Sequence, residues 1–152
     1  MKIYNNLNIQ KKHQNNVVAI GNFDGVHIGH QKVIKEARQK AKKNNLPFGI
    51  ITFEPIPVMF FNKTIKNHRI NSLDQKKNKL NKFKLDFLII FKFNKSFSKL
   101  QANKFIEKVI YKKVKCKFLY VSNNFRFGFK RQGNIKTLKK FDNLYNYKTI
   151  IT

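Results

Sequence analysis

Val17-Val18-Ala19-Ile20-Gly21-Asn22-Phe23-Asp24-Gly25-Val26-His27-Ile28-Gly29-His30 is the stretch whose reading decides the fold. Val17 to Ile20 is a short, largely β-branched run stopped by glycine, the pattern of a buried strand. Immediately after His30, the segment QKVIKEARQKAKK repeats Val33, Ile34, Ala37 and Ala41 at helical spacing. A strand, a glycine-bearing loop and a helix are therefore expected in that order.

The same alternation continues outward. Beyond the break at Asn44-Asn45-Leu46-Pro47, Phe48 to Phe53 reads as a second strand, closed by Pro55 and Pro57, which cannot donate to a ladder, and followed by an extended loop. Ser72 is placed to cap a helix over SLDQKKNKLNKF, with Asp74 in its first turn complementing the helix dipole. Asp86 to Phe91 is a third strand. FSKLQANKFIEKVIYKKV carries Leu100, Phe105, Ile106, Val109 and Ile110 on one helical face, and Lys117 to Val121 follows as a fourth strand. A short helix over Asn134 to Phe141 and a strand over Lys148 to Thr152 complete the pattern. Strands separated by helices rather than tight turns predict an α/β fold, a Rossmann-like doubly wound parallel sheet of about five strands. Ligands of such sheets bind beyond the carboxyl ends of the strands, at the point where strand order reverses.

Length and composition agree with one such domain over residues 1–152, with no internal repeat and no linker. The balance of 33 Lys+Arg against 7 Asp+Glu, formally +26, invites a nucleic-acid-binding reading through counterion release. Against it, the excess is nearly all Lys, with four Arg, and accompanies abundant Asn, Ile, Phe and Tyr, whose codons are rich in A and T. A hydrophobic content of 41% excludes a disordered basic tail. Cys116, the single cysteine, can form no internal disulfide; it reads as a buried structural thiol in a reducing compartment. The N-terminus has no apolar signal region, and the stretch Phe87 to Phe93, interrupted by Lys92, is far short of a membrane span, so a cytoplasmic chain is expected.

Chemistry concentrates between Gly21 and His30. A phosphate at this strand-to-helix junction would meet the positive end of the helix dipole and unpaired backbone N–H groups, with His27 and His30 on one face of the first turn. Imidazoles can donate hydrogen bonds or positive charge to the oxygens of a pentacoordinate phosphorus, and Gly25 and Gly29 allow close backbone approach. A metal site on His27 and His30 lacks a third and fourth ligand in the sequence. A purely structural turn accounts for the glycines and leaves both histidines unexplained. Neither GxxxxGK[ST] nor GxGxxG occurs.

The HxGH arrangement after the first strand resembles the nucleotidyltransferase superfamily, and the string GNFDGVHIGHQ looks like the FMN adenylyltransferase module of bacterial FAD synthetase. Four further stretches agree: TFEPIP at Thr52 to Pro57, Arg69 with the following SLDQK, FSKLQANKFIE at Phe97 to Glu107, and NFRFGFKRQG at Asn124 to Gly133. The resemblance implies transfer of AMP from ATP to FMN with release of pyrophosphate. It implies catalytic roles for His27 and His30 on the ATP phosphates, with Gly21, Asn22, Phe23, Asp24 and Gly29 shaping the ATP site. Pro55 and Pro57 would wall the flavin, opposite a loop of Asn124, Phe125, Phe127 and Gly128; the other reading of Phe125 and Phe127 is as core residues pinning that loop. Arg131, with Lys130, would meet the FMN phosphate or stand as solvated charge. Mg²⁺ is expected on the triphosphate, held by phosphate oxygens and water, with no dedicated protein metal site; Asp24 is the nearby carboxylate, with a structural role in the turn as its other reading.

Two positions depart from the family pattern: Ile56 stands where His is usual, and Ser122 where Gly is usual. The family pattern continues beyond the fifth strand into a Ser-Ser-Thr-x-Ile-Arg type motif and a riboflavin kinase domain. The chain as given ends before both, which leaves open a fragment, a split enzyme completed by a second chain, or a nucleotide-binding remnant, and a chain weak or inactive on its own is expected. The alternative of another class is a basic nucleic-acid-binding protein, whose Lys and Arg would cluster on one stripe with exposed aromatics.

Overall fold

A computed structural model describes residues 1–62 and 72–152. Its centre is a sheet of six strands, all parallel: β1 (Lys2–Tyr4), β2 (Asn16–Ile20), β3 (Phe48–Glu54), β4 (Phe87–Lys92), β5 (Cys116–Val121) and β6 (Lys148–Ile151), in the order β1-β4-β3-β2-β5-β6. The α/β, doubly wound expectation holds, with one strand more than the sequence pattern indicated. The addition is β1, three residues at the sheet edge paired to β4, too short to carry a readable period.

Parallel strands need crossovers, and here they cover both faces. Helix α1 (Ile28–Asn44) joins β2 to β3, and α3 (Leu73–Asn81) precedes β4. Val33, Ile34, Ala37 and Ala41 of α1 and Leu80 of α3 bury Val17, Ala19, Phe48, Ile50, Leu88 and Ile90. The chain then returns across the sheet to β5. Phe105, Ile106, Val109, Ile110 and Val114 cover the other face, against Val18, Ile20, Ile51, Phe53, Phe87 and Leu119. Each strand thus divides its residues between two apolar layers, the reason β2 is buried at every position.

The helix expected from Phe97 onward is divided. Helix α4 (Lys95–Ser98) stops, Gln101 is extended, and helix resumes as α5 (Ala102–Phe105), which continues into a π-helical segment, Ile106–Val114. The wider i→i+5 winding keeps Ile106, Val109, Ile110 and Val114 inward. The loop expected after Pro55 is also partly helical, because Pro57 opens the short α2 (Pro57–Phe61), a position where the missing N–H costs nothing. The cap at Ser72 forms as expected and is reciprocal: Gln75 N–H donates to the Ser72 hydroxyl and Ser72 N–H to the Gln75 side chain. Asn134 caps α6 (Ile135–Lys140) in the same way with Thr137, and α7 (Asp142–Tyr145) leads into β6. Cys116 is buried, and burial pushes its thiol pKa up. Among the described residues no helix is long and apolar enough to cross a membrane.

Gly49 shows how tightly the central strands approach their cover. A Cβ there would fall 2.2 Å from the Phe87 ring, which in turn stacks on His13 at 5.0 Å. Gly49→Ala therefore forces the ring out of a filled layer and is expected to destabilise the fold by about 2–3 kcal/mol. Urea unfolding measures this, and an unchanged midpoint would contradict the packing described.

Candidate active site

In a parallel sheet the carboxyl ends of all strands share one edge. The segments leaving β2, β3, β4 and β5 therefore open on the same side, and β2 lies between β3 and β5, where the chain reverses its order of progress. The sequence motifs occupy these segments: Gly21 to His30 after β2, Pro55 to Pro57 after β3, Phe97 to Glu107 after β4 and Asn124 to Gly133 after β5.

The first of these turns is conformationally costly. Phe23, Gly25 and Val26 all have positive φ, 49°, 78° and 46°. For the β-branched Val26 this is a strained state, on the order of 1–3 kcal/mol, that persists only where neighbours over-determine it. They do so here. Phe23 is buried, Gly21 lies against its ring, Gln31 donates from its side chain to the Val26 carbonyl at 3.1 Å, and the Phe23 carbonyl accepts from Val26 N–H at 3.3 Å. The Asn22 carbonyl accepts from the Thr52 hydroxyl at 2.9 Å and from Lys76 Nζ at 3.0 Å, which ties the turn to β3 and α3.

The turn delivers two imidazoles to the start of α1. His27 is the N-cap residue and makes no side-chain cap bond, so the first N–H groups of the helix stay available at this edge. The His27 and His30 rings stack at 3.6 Å between centroids, and His30 also meets the edge of Phe23 at 5.3 Å. Gly29 makes room for this stack, since a Cβ there would lie 3.2 Å from the His27 ring. Burial is the main cause that lowers the His30 pKa to about 4, reinforced by His27 and Lys76 and opposed by Asp24. His30 Nδ1 is buried without a hydrogen-bond partner. A buried N–H without an acceptor is the less tolerable alternative, so the neutral ring keeps its proton on Nε2 as a donor. The pair can thus offer N–H donors and helix-end amides to a phosphate, and an arriving anion would favour protonation of His30.

The remaining sequence-selected residues separate into walls and supports. Pro55 and Pro57 are half-buried on the segment after β3. Ile56 between them is buried, so the position where the resembled family has His is a packing residue here. After β5, Ser122 has no positive φ; its hydroxyl donates to Asn124 Oδ1 at 2.8 Å and its carbonyl accepts from Phe125 N–H at 3.2 Å, so the tight turn forms without glycine. Phe125 stacks on Phe127 at 5.5 Å; Phe127 is buried against Phe105 and pins the loop from behind. Gly128 is required twice over: its φ is 79°, and a Cβ would collide with the Ala102 backbone at 2.8 Å. Asn124, Phe125 and exposed Arg131 line an open recess of about 490 Å³ together with Arg126, Asn134 and Lys136. Lys130 is exposed, and its ammonium lies 5.3 Å from the centre of the Phe129 ring. Arg69 lies outside the described residues. Among the described residues no three His, Cys, Asp or Glu side chains converge to hold a metal ion.

Comparison with known proteins identifies the chain's relatives. The family model of FAD synthetase matches residues 9–152. The chain belongs to the FAD synthetase family. Relatives in the FAD synthetase family include the bifunctional riboflavin kinase/FMN adenylyltransferases of Buchnera aphidicola from Schizaphis graminum, 42% identical over 94% of this chain and 46% of that protein, and from Acyrthosiphon pisum, 40% identical over 99% and 48%. The Escherichia coli K12 protein of the same name is 34% identical over 86% of this chain and 42% of its own length. The chain thus spans about half the length of the curated relatives it matches. A solved structure from Streptococcus pneumoniae, described as a macrolide-efflux protein, superposes with a TM-score of 0.80 over 99% of this chain and 50% of that one; at 24% identity the likeness is one of fold.

Sequence reading missed Lys76, which the structure brings to this turn. The available signal was its place on the apolar stripe Leu73, Lys76, Leu80, where a lysine among many lysines drew no notice.

The depressed His30 pKa has a definite sign. Between pH 6.5 and about 4 the unfolded chain binds more protons at this residue than the folded one, so its stabilising contribution is complete above 6.5 and is lost as pH falls through that window. Proton NMR of the imidazole should give a His30 midpoint near 4 in the ligand-free protein and a higher one with inorganic triphosphate, whose charge favours imidazolium. A midpoint at the ordinary value without ligand would contradict the half-buried, stacked ring.

Proposed function

We propose that this domain performs the FMN adenylyltransferase reaction, joining AMP from ATP to FMN and releasing pyrophosphate. The observation that carries the reading is the stacked His27–His30 pair on a strained turn at the start of α1, at the switch point of a parallel sheet. The family of the chain narrows the substrates, because its relatives are named for that reaction.

An oxygen of the FMN phosphate attacks the α-phosphorus of ATP in line, the bond from the α-phosphorus to the bridging oxygen breaks, and pyrophosphate leaves. The nucleophile is already ionised, so no general base and no covalent enzyme intermediate are needed; positioning and charge neutralisation supply the acceleration. His27 and His30 donate to the triphosphate oxygens as negative charge shifts toward the leaving group. Gly21, Asn22, Phe23 and Gly29 shape the pocket around the nucleotide, and Asp24 steadies the turn and the charge on His30. Pro55 and Pro57 form one wall for the flavin. Asn124, Phe125 and Gly128 present the other, with Phe127 supporting it from the core and Arg131 available to the FMN phosphate. A flat ring system bound between apolar walls with a few polar contacts suits these residue types.

Mg²⁺ fits as a passenger of ATP. Among the described residues the donor set near the turn offers Asp24 and no cluster of carboxylates, so the ion would be carried chiefly by phosphate oxygens and water. Bound there, it would neutralise the charge of the β- and γ-phosphates.

FAD formation from ATP and FMN with Mg²⁺, followed by chromatography, tests the reading. His27→Ala and His30→Ala are each expected to lower kcat by about 10²–10³, the usual loss for a transition-state donor. Rapid turnover insensitive to both substitutions would refute the assignment, as would tight binding of random oligonucleotides at physiological salt that ignores ATP and FMN.

A further inference from the structure

Lys76 is the only buried lysine among the described residues, 1% exposed on the inward face of α3. Its ammonium donates to the Asn22 carbonyl at 3.0 Å, to the Thr52 hydroxyl at 3.4 Å and to the Phe53 carbonyl at 3.5 Å. Thr52, fully buried, donates its own hydroxyl to the same Asn22 carbonyl at 2.9 Å. The outer helix is thereby connected through one cation to the ends of both β2 and β3. Helix α3 also packs directly against the Asp24–Val26 turn.

An apolar side chain on the Leu73–Leu80 stripe would fill this space without taking an ammonium out of water, so packing alone does not account for a lysine. What the ammonium adds is directional. It fixes one carbonyl at the first residue of the strained turn, and that carbonyl sets how the chain enters Phe23, Gly25 and Val26 and hence where His27 and His30 lie. Its charge also reaches the His30 ring, where it disfavours protonation before an anion binds.

We propose that Lys76 is a positioning residue of the adenylyl-transfer site, which locks the Asn22 carbonyl to the end of β3 and thereby holds His27 over His30 in register for the triphosphate. This rests on the adenylyltransferase reading given above for its catalytic consequence. It does not rest on that reading for its structural one, which concerns the ring pair itself.

The experiment compares Lys76→Met, Lys76→Arg and Thr52→Val with the parent in the full chain. Three quantities are measured: the urea midpoint, kcat and KM for FAD formation, and the nuclear Overhauser contact between the His27 and His30 rings in ligand-free protein. At denaturant-free, fully folded conditions Lys76→Met should lose the ring contact and lower kcat by about 10²-fold, the size expected when supporting residues let a site drift by about 1 Å. KM for FMN should stay within about twofold, because the Asn124 to Gly128 wall follows β5 and Lys76 reaches toward Pro55 through a long bond, to the Phe53 carbonyl at 3.5 Å. Lys76→Arg, which retains a charged donor, should recover the ring contact and about tenfold of the lost kcat. A folded Lys76→Met with the parent's ring contact overturns the proposal, whether or not kcat falls. If Lys76→Met does not fold, Thr52→Val decides: loss of about fivefold in kcat, the worth of one hydrogen bond, with a weakened ring contact supports the proposal, and the parent's values overturn it. If the parent itself makes no FAD, that outcome counts against activity of this chain alone, and the ring contact still tests whether Lys76 sets the imidazole pair.

Discussion

Covering both faces of a parallel sheet is the constraint from which the rest of this structure follows. Parallel neighbours cannot be joined by a hairpin, so each of β2 to β6 is reached by a crossover, and the crossovers have to supply apolar cover. Helices α1 and α3 lie on one face and the Ala102–Val114 helical stretch with α6 on the other, because the chain first advances β2, β3, β4 and then returns past β2 to β5. That return creates the switch point. The same arrangement that satisfies burial thus leaves a row of loops at one edge, where no strand continues and backbone groups remain for a ligand.

The central part of this plan is legible in the sequence because it is written in continuous apolar runs. Val17 to Ile20, Phe48 to Phe53 and Phe87 to Phe91 are buried from both sides, so they read as runs without alternation and need no tertiary information. What escapes the reading is of two kinds. Strand β1 is held by pairing with β4 and by Tyr4 in the core, where the Tyr4 hydroxyl lies 2.7 Å from His13; three residues contain no period from which this could be inferred. The break before Ala102 is dictated by a distant partner. Phe129 N–H donates to the Leu100 carbonyl, and Gly128 and Gly133 both press on Ala102, so a loop thirty residues later sets where the helix begins.

The site divides in a similar way. His27 and His30 were identifiable because local helical spacing puts them on one face, and no long-range fact was required. Their stacking at 3.6 Å, and the burial that keeps His30 neutral, depend on Phe23 and on the positive φ of Val26, which no residue type announces. Phe125 and Phe127 illustrate the limit of residue-type reasoning. Both are aromatic and adjacent in the motif, yet one is partly buried at the recess while the other is buried behind it, and only the antiparallel bridge between Phe127 and Gly133 settles which is which.

Charge supplies the last step. A chain with 33 Lys+Arg against 7 Asp+Glu presents cations on almost every outward helix face, and that even spread favours long-range attraction of polyanionic nucleotides without selecting any one of them. Lysines on the surface are exchangeable in this respect, since each is solvated and screened beyond about 10 Å. Lys76 is different because burial turns an abundant residue into a scarce one: inside, an ammonium is tolerated only where carbonyl and hydroxyl oxygens converge on it, and the Asn22, Thr52 and Phe53 oxygens do so. A composition that could arise by drift therefore contains, among the described residues, one lysine for which the physics of desolvation demands a reason. The reason lies at the turn that bears the histidines, so the informative charge among the described residues is the lysine withdrawn from solvent rather than the many that face it.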